Sequence, residues 1–297
     1  MARPALAASR ATQVLDLMVA HPTERFTLAE IQRRTGINAA SAHALLAVLT
    51  DSGYVQRHPS ARTFSLGPAL VAAGVVAAQQ QPALREGQEA VERLSEQLEL
   101  EVVLTAATDD EIVVVARSSG SSGFGEVIHV GQRMPLRPPL GTIFLAWAPD
   151  ETVDSWLERA RPSLTDDERD AQRRALRAVR SRGYAVGLES MKRRDLGRFV
   201  AEMADSADAA DALERLVAEL AHEPYHLDEV DERRTYDVGL VAGAVFDSHG
   251  RVCAALTVNG LRPGMSGGDV DQIGQLVLAE VTRITKATHG RPPDHHR

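Results

Sequence analysis

A capped short helix, a glycine turn and a second, amphipathic helix, all between residues 27 and 51, constrain the fold of this chain most strongly. Thr27 precedes Glu30 by three residues, the spacing of a capping box that opens a helix. Gly36 supplies a turn, and Asn38 can cap the next helix. Apolar residues recur along that helix at helical spacing: Ala42, Leu45, Leu46 and Leu49. With another helix predicted over 8–20, these elements indicate a helix-turn-helix unit.

A β-hairpin is predicted directly after this unit, with strands over 54–57 and 62–66 around a turn at 58–61. Two helices followed by a hairpin form a winged helix-turn-helix, whose second helix enters the major groove of DNA while the wing contacts phosphates or the minor groove. Basic and polar side chains at the helix ends and on the wing are therefore candidate DNA contacts. They are Arg33, Arg34, Asn38, Ser41, His43, Arg57 and Arg62.

The groove-facing part of the second helix is rich in alanine and has no arginine or lysine to bind guanine. Direct contact with base edges would depend on Ser41, His43 and Asn38, with methyl contacts from the alanines. We therefore expect weak discrimination between bases.

The charge distribution also separates two regions. The whole chain has a net charge of −8, which by itself argues against binding nucleic acid. Residues 1–70, however, hold seven arginines against four carboxylates, a balance of +3 that leaves −11 for the remainder. A basic head on an acidic body indicates two domains with different partners.

A helical linker and a second domain are predicted beyond the wing. The linker spans 69–99, and the seven-residue apolar rhythm of its second helix suits either a dimer contact or packing on its own sheet. Further strands and helices indicate an α+β domain with a mostly antiparallel sheet. Strands are predicted over 101–107, 111–117, 126–130, 236–246 and 252–259, and helices over 141–148, 150–160 and 165–182, with a final helix after them. We expect domains over 1–68 and 100–290, with a disordered tail at 291–297.

Composition excludes several other classes. Cys253 is the single cysteine, so neither an internal disulfide nor a cysteine-rich zinc site can form. No apolar run reaches the roughly 18 residues of a membrane span, and no charged segment precedes an apolar stretch as in a secretory signal. We expect a cytoplasmic protein that does not bind membranes.

The segment 222–226, His-Glu-Pro-Tyr-His, fits the zinc-protease pattern HExxH. Zinc chemistry of this type needs both histidines on one helical face. Pro224 disfavours helical structure at this point, so we expect a helix end and a loop without a metal. A zinc hydrolase remains a third hypothesis, and no enzymatic activity is expected.

The stretches FTLAEIQRRTGIN, ALLAVLTDSGYVQRHP and FSLGPAL resemble the N-terminal domain of IclR-family transcriptional regulators. Three later stretches resemble the effector domain of that family in the same order: VGQRMPLRPPLGTIFLAW, RALRAVRSRGYAV and VFDSHGRVCAALTVNG. The resemblance implies a winged helix-turn-helix joined to a GAF-like α/β domain that binds a small metabolite. It also implies a homodimer or homotetramer that acts on double-stranded operator DNA.

A segment over about 190–236 lies outside the family pattern. It contains the stretch MKRRDLGRF and then an amphipathic helix with Leu213, Leu216, Val217 and Leu220. The sequence leaves open whether this insert covers the ligand pocket or makes a subunit contact.

Candidate effector-binding residues come from a loop, from two strands and from the start of the insert. They are Leu136, Arg137, Gly141, Glu189, Leu240, Thr257 and Asn259. Arg137 stands in the loop RMPLRPPLG beside a helix start, a setting that suits a carboxylate. Thr257 and Asn259 alternate along a strand and so face one side. By resemblance, these two occupy positions of effector-contacting serines, Leu240 replaces a cysteine of the family pattern, and Glu189 lies close to an acidic position.

We therefore expect a transcriptional regulator, a repressor or a dual-acting protein, whose operator affinity a small carboxylate or aromatic effector controls by population shift. No cofactor is expected. The alanine-rich second helix motivates an alternative, a ligand-binding or protein-interaction module with a weakened DNA-binding head.

Overall fold

The structure, a computed structural model, describes residues 5–120, 128–202 and 207–293. The chain divides into two compact units, one built mainly from residues up to Gln81 and the other mainly from Pro82 onward. The elements of the first unit are α1 (Leu6–Ala20), β1 (Phe26–Thr27), α2 (Leu28–Thr35), α3 (Ala39–Asp51), β2 (Val55–His58), β3 (Thr63–Leu66) and α4 (Pro68–Gln80).

Local capping fixes the helix boundaries of the first unit as the sequence predicts. The N–H of Glu30 donates to Thr27 Oγ1 over 3.3 Å, and the N–H of Thr27 donates to the Glu30 carboxylate over 2.7 Å, which completes the capping box. Gly36 ends α2 with φ 69°, in the left-handed region that favours glycine. Asn38 Oδ1 accepts a hydrogen bond from the N–H of Ser41 and caps α3.

The three helices and the wing enclose one apolar core. The wing strands β2 and β3 pair antiparallel, and β1 pairs with the other edge of β3. The buried apolar residues are Val14, Leu17, Met18, Phe26, Ile31, Ile37, Ala42, Leu46, Leu49 and Val55. Helix α4, in contrast, buries none of its side chains within the chain.

The second unit contains a six-stranded sheet with helices on both faces. Its helices are α5 (Pro82–Leu98), α6 (Thr142–Leu145), α7 (Asp150–Leu157), α8 (Asp166–Arg182), α9 (Met191–Glu202), α10 (Ala207–Ala221) and α11 (Gly267–Ala287). Its strands are β4 (Glu101–Ala107), β5 (Glu111–Ser118), β6 (Arg133–Pro135), β7 (Tyr184–Leu188), β8 (Thr235–Tyr236), β9 (Val238–Phe246), β10 (Val252–Asn259) and β11 (Met265–Ser266).

All pairings in the main sheet are antiparallel, in the order β6-β5-β4-β10-β9-β7, while β8 pairs with β11 separately. One side of the main sheet, here called face A, carries Ala185, Ala242 and Ala255 and packs against apolar residues of α6, α7, α8 and α10. The opposite side, face B, carries Val241 and Leu256 and packs against α5 and α11. Both faces are therefore buried, which requires apolar residues at most positions of the central strands.

The structure departs from the predicted elements at several points. Strand β7 was not predicted, because a short apolar stretch directly after a long helix carries no alternation of its own. The predicted strand over 236–246 is divided, because Tyr236 pairs with Met265 in the small sheet and β9 begins at Val238. The helices predicted over 141–148 and 150–160 are shorter than expected.

The predicted strand over 126–130 falls partly outside the described residues. Its described part is not a strand, and β6 follows at Arg133 instead. The predicted tail lies mostly outside the described residues. In the part of the chain that the structure describes, no helix is long and apolar enough to cross a membrane.

The packing of α11 on face B gives a stability prediction. A Cβ at Gly274 would lie 2.3 Å from the ring of the fully buried Tyr184, whereas one at Gly268 would meet only Ser266 Oγ, at 3.8 Å. We expect Gly274→Ala to lower the free energy of unfolding by about 1–3 kcal/mol through overpacking. Gly268→Ala should leave it unchanged or raise it by up to about 1 kcal/mol through helix propensity. Urea denaturation of both variants provides the measurement, and an equal effect of the two substitutions would contradict the packing described.

Candidate functional site

The outward surface of α3 carries small and apolar side chains. Ala40, His43, Ala44, Ala47 and Val48 are all exposed and recur at the spacing of one helical face. The opposite face of the helix is buried in the core. In a DNA major groove this surface would offer one hydrogen-bonding ring and several methyl groups, which suit the methyl group of thymine better than guanine.

The polar residues at the start of α3 have partners within the domain. Asn38 Oδ1 caps the helix, and Ser41 Oγ accepts a hydrogen bond of 3.2 Å from the guanidinium of Arg10 in α1. Arg10 was not predicted as a site residue, because the contact joins positions 31 residues apart in the sequence and leaves no local pattern. It brings a cation to the end of α3 that would approach DNA.

The four predicted arginines differ in their surroundings. Arg34 forms an ion pair with Glu24 at 2.9 Å and lies over the ring of Phe26, so it would have to leave this ion pair to reach a phosphate. Arg33, Arg57 and Arg62 are exposed and have no ion-pair partner among the described residues. Arg62 lies in the wing turn with φ 53°, and Arg57 lies on β2. The wing therefore presents two unpaired cations.

Several predicted effector residues lie side by side on face A. Asn259 pairs with Glu101 of β4 on one side and with Leu240 of β9 on the other. Thr257 lies one step along the same face and pairs with Val103 and Ala242. Because directly opposed residues in a sheet project to the same side, the register brings Leu240, Thr257 and Asn259 together.

A charged network surrounds Asn259. Arg193, in α9 of the insert, donates to Glu189 Oε2 over 2.9 Å and to Asn259 Oδ1 over 3.3 Å. The hydroxyl of the buried Tyr225 also interacts electrostatically with Arg193. The side-chain nitrogen of Asn259 is buried and has no partner among the described residues. An unpaired buried donor of this kind costs about 1–3 kcal/mol, which a ligand acceptor would recover.

Glu101 and Arg117 extend this network along the sheet. Glu101 is only 7% exposed and accepts a hydrogen bond of 2.7 Å from Arg117 Nε. Burial raises the pKa of the Glu101 carboxyl, and the hydrogen bond from Arg117 opposes that shift. Neither residue was predicted, although the alternation of EVVLTAA places Glu101 on the same face as Val103, where a charged residue is unusual.

The loop over 136–141 lies on the same side of the sheet. Leu136 is buried in the apolar cluster of face A, and Gly141 has φ 88°, with Leu136 occupying the space that a Cβ would need. Arg137 donates to Glu214 of α10 over 2.9 Å. The loop is thereby tied to the insert, and Arg137 would have to exchange this exposed carboxylate for a ligand carboxylate.

The insert covers face A. Leu196 of α9, together with Val217 and Leu220 of α10, belongs to the apolar cluster that contains Ala242 and Ala255 of the sheet. The insert therefore packs on face A, the side of the sheet that carries the candidate residues Leu240, Thr257 and Asn259.

The two histidines of the HExxH segment have separate roles. Helix α10 ends at Ala221, so they do not share a helical face. His222 contacts Glu168 of α8. The half-buried His226 donates from Nε2 to the Pro139 carbonyl over 3.0 Å, and the same nitrogen lies 2.6 Å from Thr142 Oγ1. His226 therefore anchors the loop that carries Arg137.

The two units match two domains of one regulator family. Residues 7–59 match the IclR helix-turn-helix domain, and residues 76–193 match the C-terminal domain of the bacterial transcriptional regulator IclR. The chain belongs to the IclR family. The second match ends at Arg193, so most of the insert lies outside the residues that match the family model.

One regulatory protein of known sequence matches part of the chain. The Pca regulon regulatory protein of Pseudomonas putida is 29% identical over 166 residues, which cover 54% of this chain and 56% of that protein. The match thus spans about half the length of that relative.

Two solved structures share the fold. An IclR transcriptional regulator from Alicyclobacillus acidocaldarius superposes with a TM-score of 0.67 at 22% identity, covering 97% of this chain and 100% of that one. An IclR homolog from Microbacterium hydrocarbonoxydans, complexed with 4-hydroxybenzoate, has a TM-score of 0.63 at 18% identity, covering 95% and 99%.

The desolvated ring of the half-buried His226 predicts a pH dependence of stability for this IclR-family protein. Burial lowers its pKa from 6.5 to about 4. Between these values the unfolded chain binds a proton that the folded protein does not, so stability is present above pH 6.5 and is lost as the pH falls towards 4. We expect His226→Gln, which keeps a donor but does not titrate, to reduce the loss of unfolding free energy over this interval in urea denaturation. Equal pH slopes for the two proteins would contradict this role.

Proposed function

We propose that this protein is a transcriptional regulator that binds double-stranded operator DNA through its winged helix-turn-helix and a small effector through face A of its C-terminal unit. The observation that carries the proposal is the partly buried polar network around Asn259, on a sheet face that also packs against an apolar cluster. The N-terminal unit of the same chain has a DNA-binding fold. Effector binding would shift the population of arrangements of the two recognition helices of a dimer and so change operator affinity. No enzymatic activity forms part of the proposal. Since its partner would be chromosomal DNA, we place the protein in the cytoplasm.

Phosphate contacts would supply most of the DNA affinity. The exposed Arg33, Arg57 and Arg62 are suited to the backbone, and Arg10 adds a cation beside the start of α3. The alanine-rich face of α3 supports base recognition through methyl contacts and His43, so we propose affinity with limited sequence discrimination.

The effector would be a small organic anion, such as an aromatic carboxylate. Arg193 and Arg117 provide cations beside Asn259, and Arg137 provides another in the neighbouring loop. Thr257 and Asn259 would add hydrogen-bonding groups, and Leu240 and Leu136 would add apolar contacts. Gly141 would position the loop that carries Arg137, and Glu189 would position Arg193. The 4-hydroxybenzoate bound by the Microbacterium protein makes hydroxybenzoates the first compounds to test.

Helix α4 supports a homodimer or a homotetramer. Val71, Val75 and Val76 are 70%, 54% and 51% exposed on this helix. Exposed β-branched residues on a helix that buries nothing within its own chain favour burial against a second copy.

Removal of the wing cations tests the DNA interface. The affinity of the wild type for DNA flanking its own gene should fall linearly with salt on logarithmic axes, because binding to phosphates releases counterions. In Arg57→Ala/Arg62→Ala the slope should flatten by about 0.9 for each phosphate that the wing no longer neutralises. The matched control, Arg215→Ala/Arg233→Ala, removes the same charge from exposed positions of the C-terminal unit and should leave the slope unchanged.

Mobility shift and fluorescence anisotropy supply these measurements. Equal slopes in the two double variants would exclude the wing from the interface. Absence of any wild-type complex at low salt would favour the ligand-binding or protein-interaction module instead.

Ligand-induced stabilisation tests the effector face. Benzoate, 4-hydroxybenzoate and small aliphatic carboxylates should raise the melting temperature of the wild type, by an amount that corresponds to about 2.7 kcal/mol at a ligand concentration of 100 Kd. Asn259→Ala should lose at least half of that shift because it removes the unpaired donor. Gln275→Ala, which removes an exposed amide from α11, is the control and should behave like the wild type. Identical shifts in all three proteins would exclude Asn259 as a contact.

A further inference from the structure

A cleft of about 960 Å³ lies in the C-terminal unit and shares no residue with the predicted effector set. Its position follows from the sheet register. Strand β7 begins at Tyr184 opposite Gly243, so no described strand pairs with Ala244–Phe246 on that side. Residues of α8 and α11 line the cleft that this gap leaves.

The floor of the cleft is apolar and partly aromatic. Trp147 and Phe246 meet edge to face with 5.0 Å between their ring centroids. Leu278 and Val281 of α11 and Ala244 of β9 complete the floor. Such a surface suits a flat apolar group.

The polar lining of the cleft is basic. Its charged side chains are Arg177, Arg180, Arg182, Lys286 and Arg291, and no aspartate or glutamate is among the lining residues. This contrasts with the net charge of −11 over residues 71–297. Clefts lined by one sign of charge concentrate ligands of the opposite sign.

Three of these cations are not used by the fold. Arg182 donates to the carbonyls of Tyr184 and Leu227, and Arg180 Nε donates to the Ala146 carbonyl. Arg177, Lys286 and Arg291, in contrast, are exposed and have no hydrogen bond or ion pair from their side chains to any described residue.

Helix dipoles account for only part of this charge. Helices α8 and α11 both end at the cleft, and basic residues in a last turn offset the partial negative charge of the helix end. Two such ends contribute about one negative charge in sum. Asp228 and Asp271 lie outside the cleft lining but interact electrostatically with Arg182 and offset its charge. The other four cations, Arg177, Arg180, Lys286 and Arg291, still exceed the charge of the helix ends, so the cleft retains a positive surplus.

We propose that this cleft binds a small organic anion, with a flat apolar group on Trp147 and Phe246 and a phosphate or carboxylate group held by Arg177, Lys286 and Arg291. The volume lies within the range of about 300–1,000 Å³ that is usual for small-molecule sites. The site is separate from the effector face, so the chain would have two ligand sites.

Phenyl phosphate, benzoate and inorganic phosphate are the probes, titrated calorimetrically into the full-length protein at low salt. The wild type should bind phenyl phosphate more tightly than inorganic phosphate. Arg177→Gln/Lys286→Gln should weaken phenyl phosphate binding at least tenfold. Its melting temperature should fall only slightly, because both side chains are exposed and Lys286 contributes one favourable charge at the end of α11. The control Arg215→Gln/Arg233→Gln removes the same charge outside the cleft and should bind as the wild type does.

Two further variants separate this site from the effector face and locate the aromatic group. Asn259→Ala should retain binding in the cleft even if it abolishes effector binding. Phenyl phosphate should change the tryptophan fluorescence of the wild type, and Trp147→Phe should remove that change while heat of binding persists, since the other tryptophan, Trp156, is fully buried.

The proposal would be overturned by equal binding in the two charge variants, by equal affinity for inorganic and phenyl phosphate, or by no binding to the wild type below millimolar concentration. Loss of all phenyl phosphate binding in Asn259→Ala would assign the probe to the effector face and would equally reject the cleft.

Discussion

The antiparallel register of β4, β10 and β9 determines the arrangement of everything else in the C-terminal unit. Both faces of this sheet are buried, so each strand must divide its residues between two cores. A slip of one residue would move Asn259 and Thr257 into the apolar contact with α5 and α11, and would send Leu256 and Val258 to face A. Burying these polar groups on face B would cost free energy, so the slipped register is disfavoured and the candidate effector residues stay on face A.

The insert adds a layer of helices to face A that lies mostly outside the residues matched by the family model. Its apolar side chains close face A, and its first helix brings Arg193 to Asn259 and Glu189. Arg117 already pairs with Glu101 on this face, and the insert adds a second cation, Arg193, beside Asn259. Recognition of an anionic effector would then depend on a segment that lies mostly outside the family pattern.

In the DNA-binding unit, the residues that stabilise the fold are separate from the exposed residues that could contact DNA. Its helix boundaries depend on caps and a glycine, and its core depends on three short helices. The stability of this fold therefore does not depend on which side chains the outward face of α3 carries. That face is almost free of hydrogen-bonding groups, while the unpaired cations lie on the wing and at the end of α2. In the proposed complex with DNA, affinity would therefore come mainly from the wing and the end of α2, and sequence discrimination from the outward face of α3.

Local sequence patterns determined the capping box at Thr27, the left-handed turn at Gly36, the winged order of elements and the strand that aligns Thr257 with Asn259. These features depend on residues that are close in the sequence, so the spacing of residue types along the chain is enough to predict them. The contacts of Arg10 with Ser41, of Arg193 with Asn259 and of Arg117 with Glu101 were not predictable in this way. Each joins residues on different elements, and only strand register and helix packing bring them together. The basic cleft has the same origin, since it depends on where β7 begins opposite β9, and that register is decided by burial on both faces of the sheet.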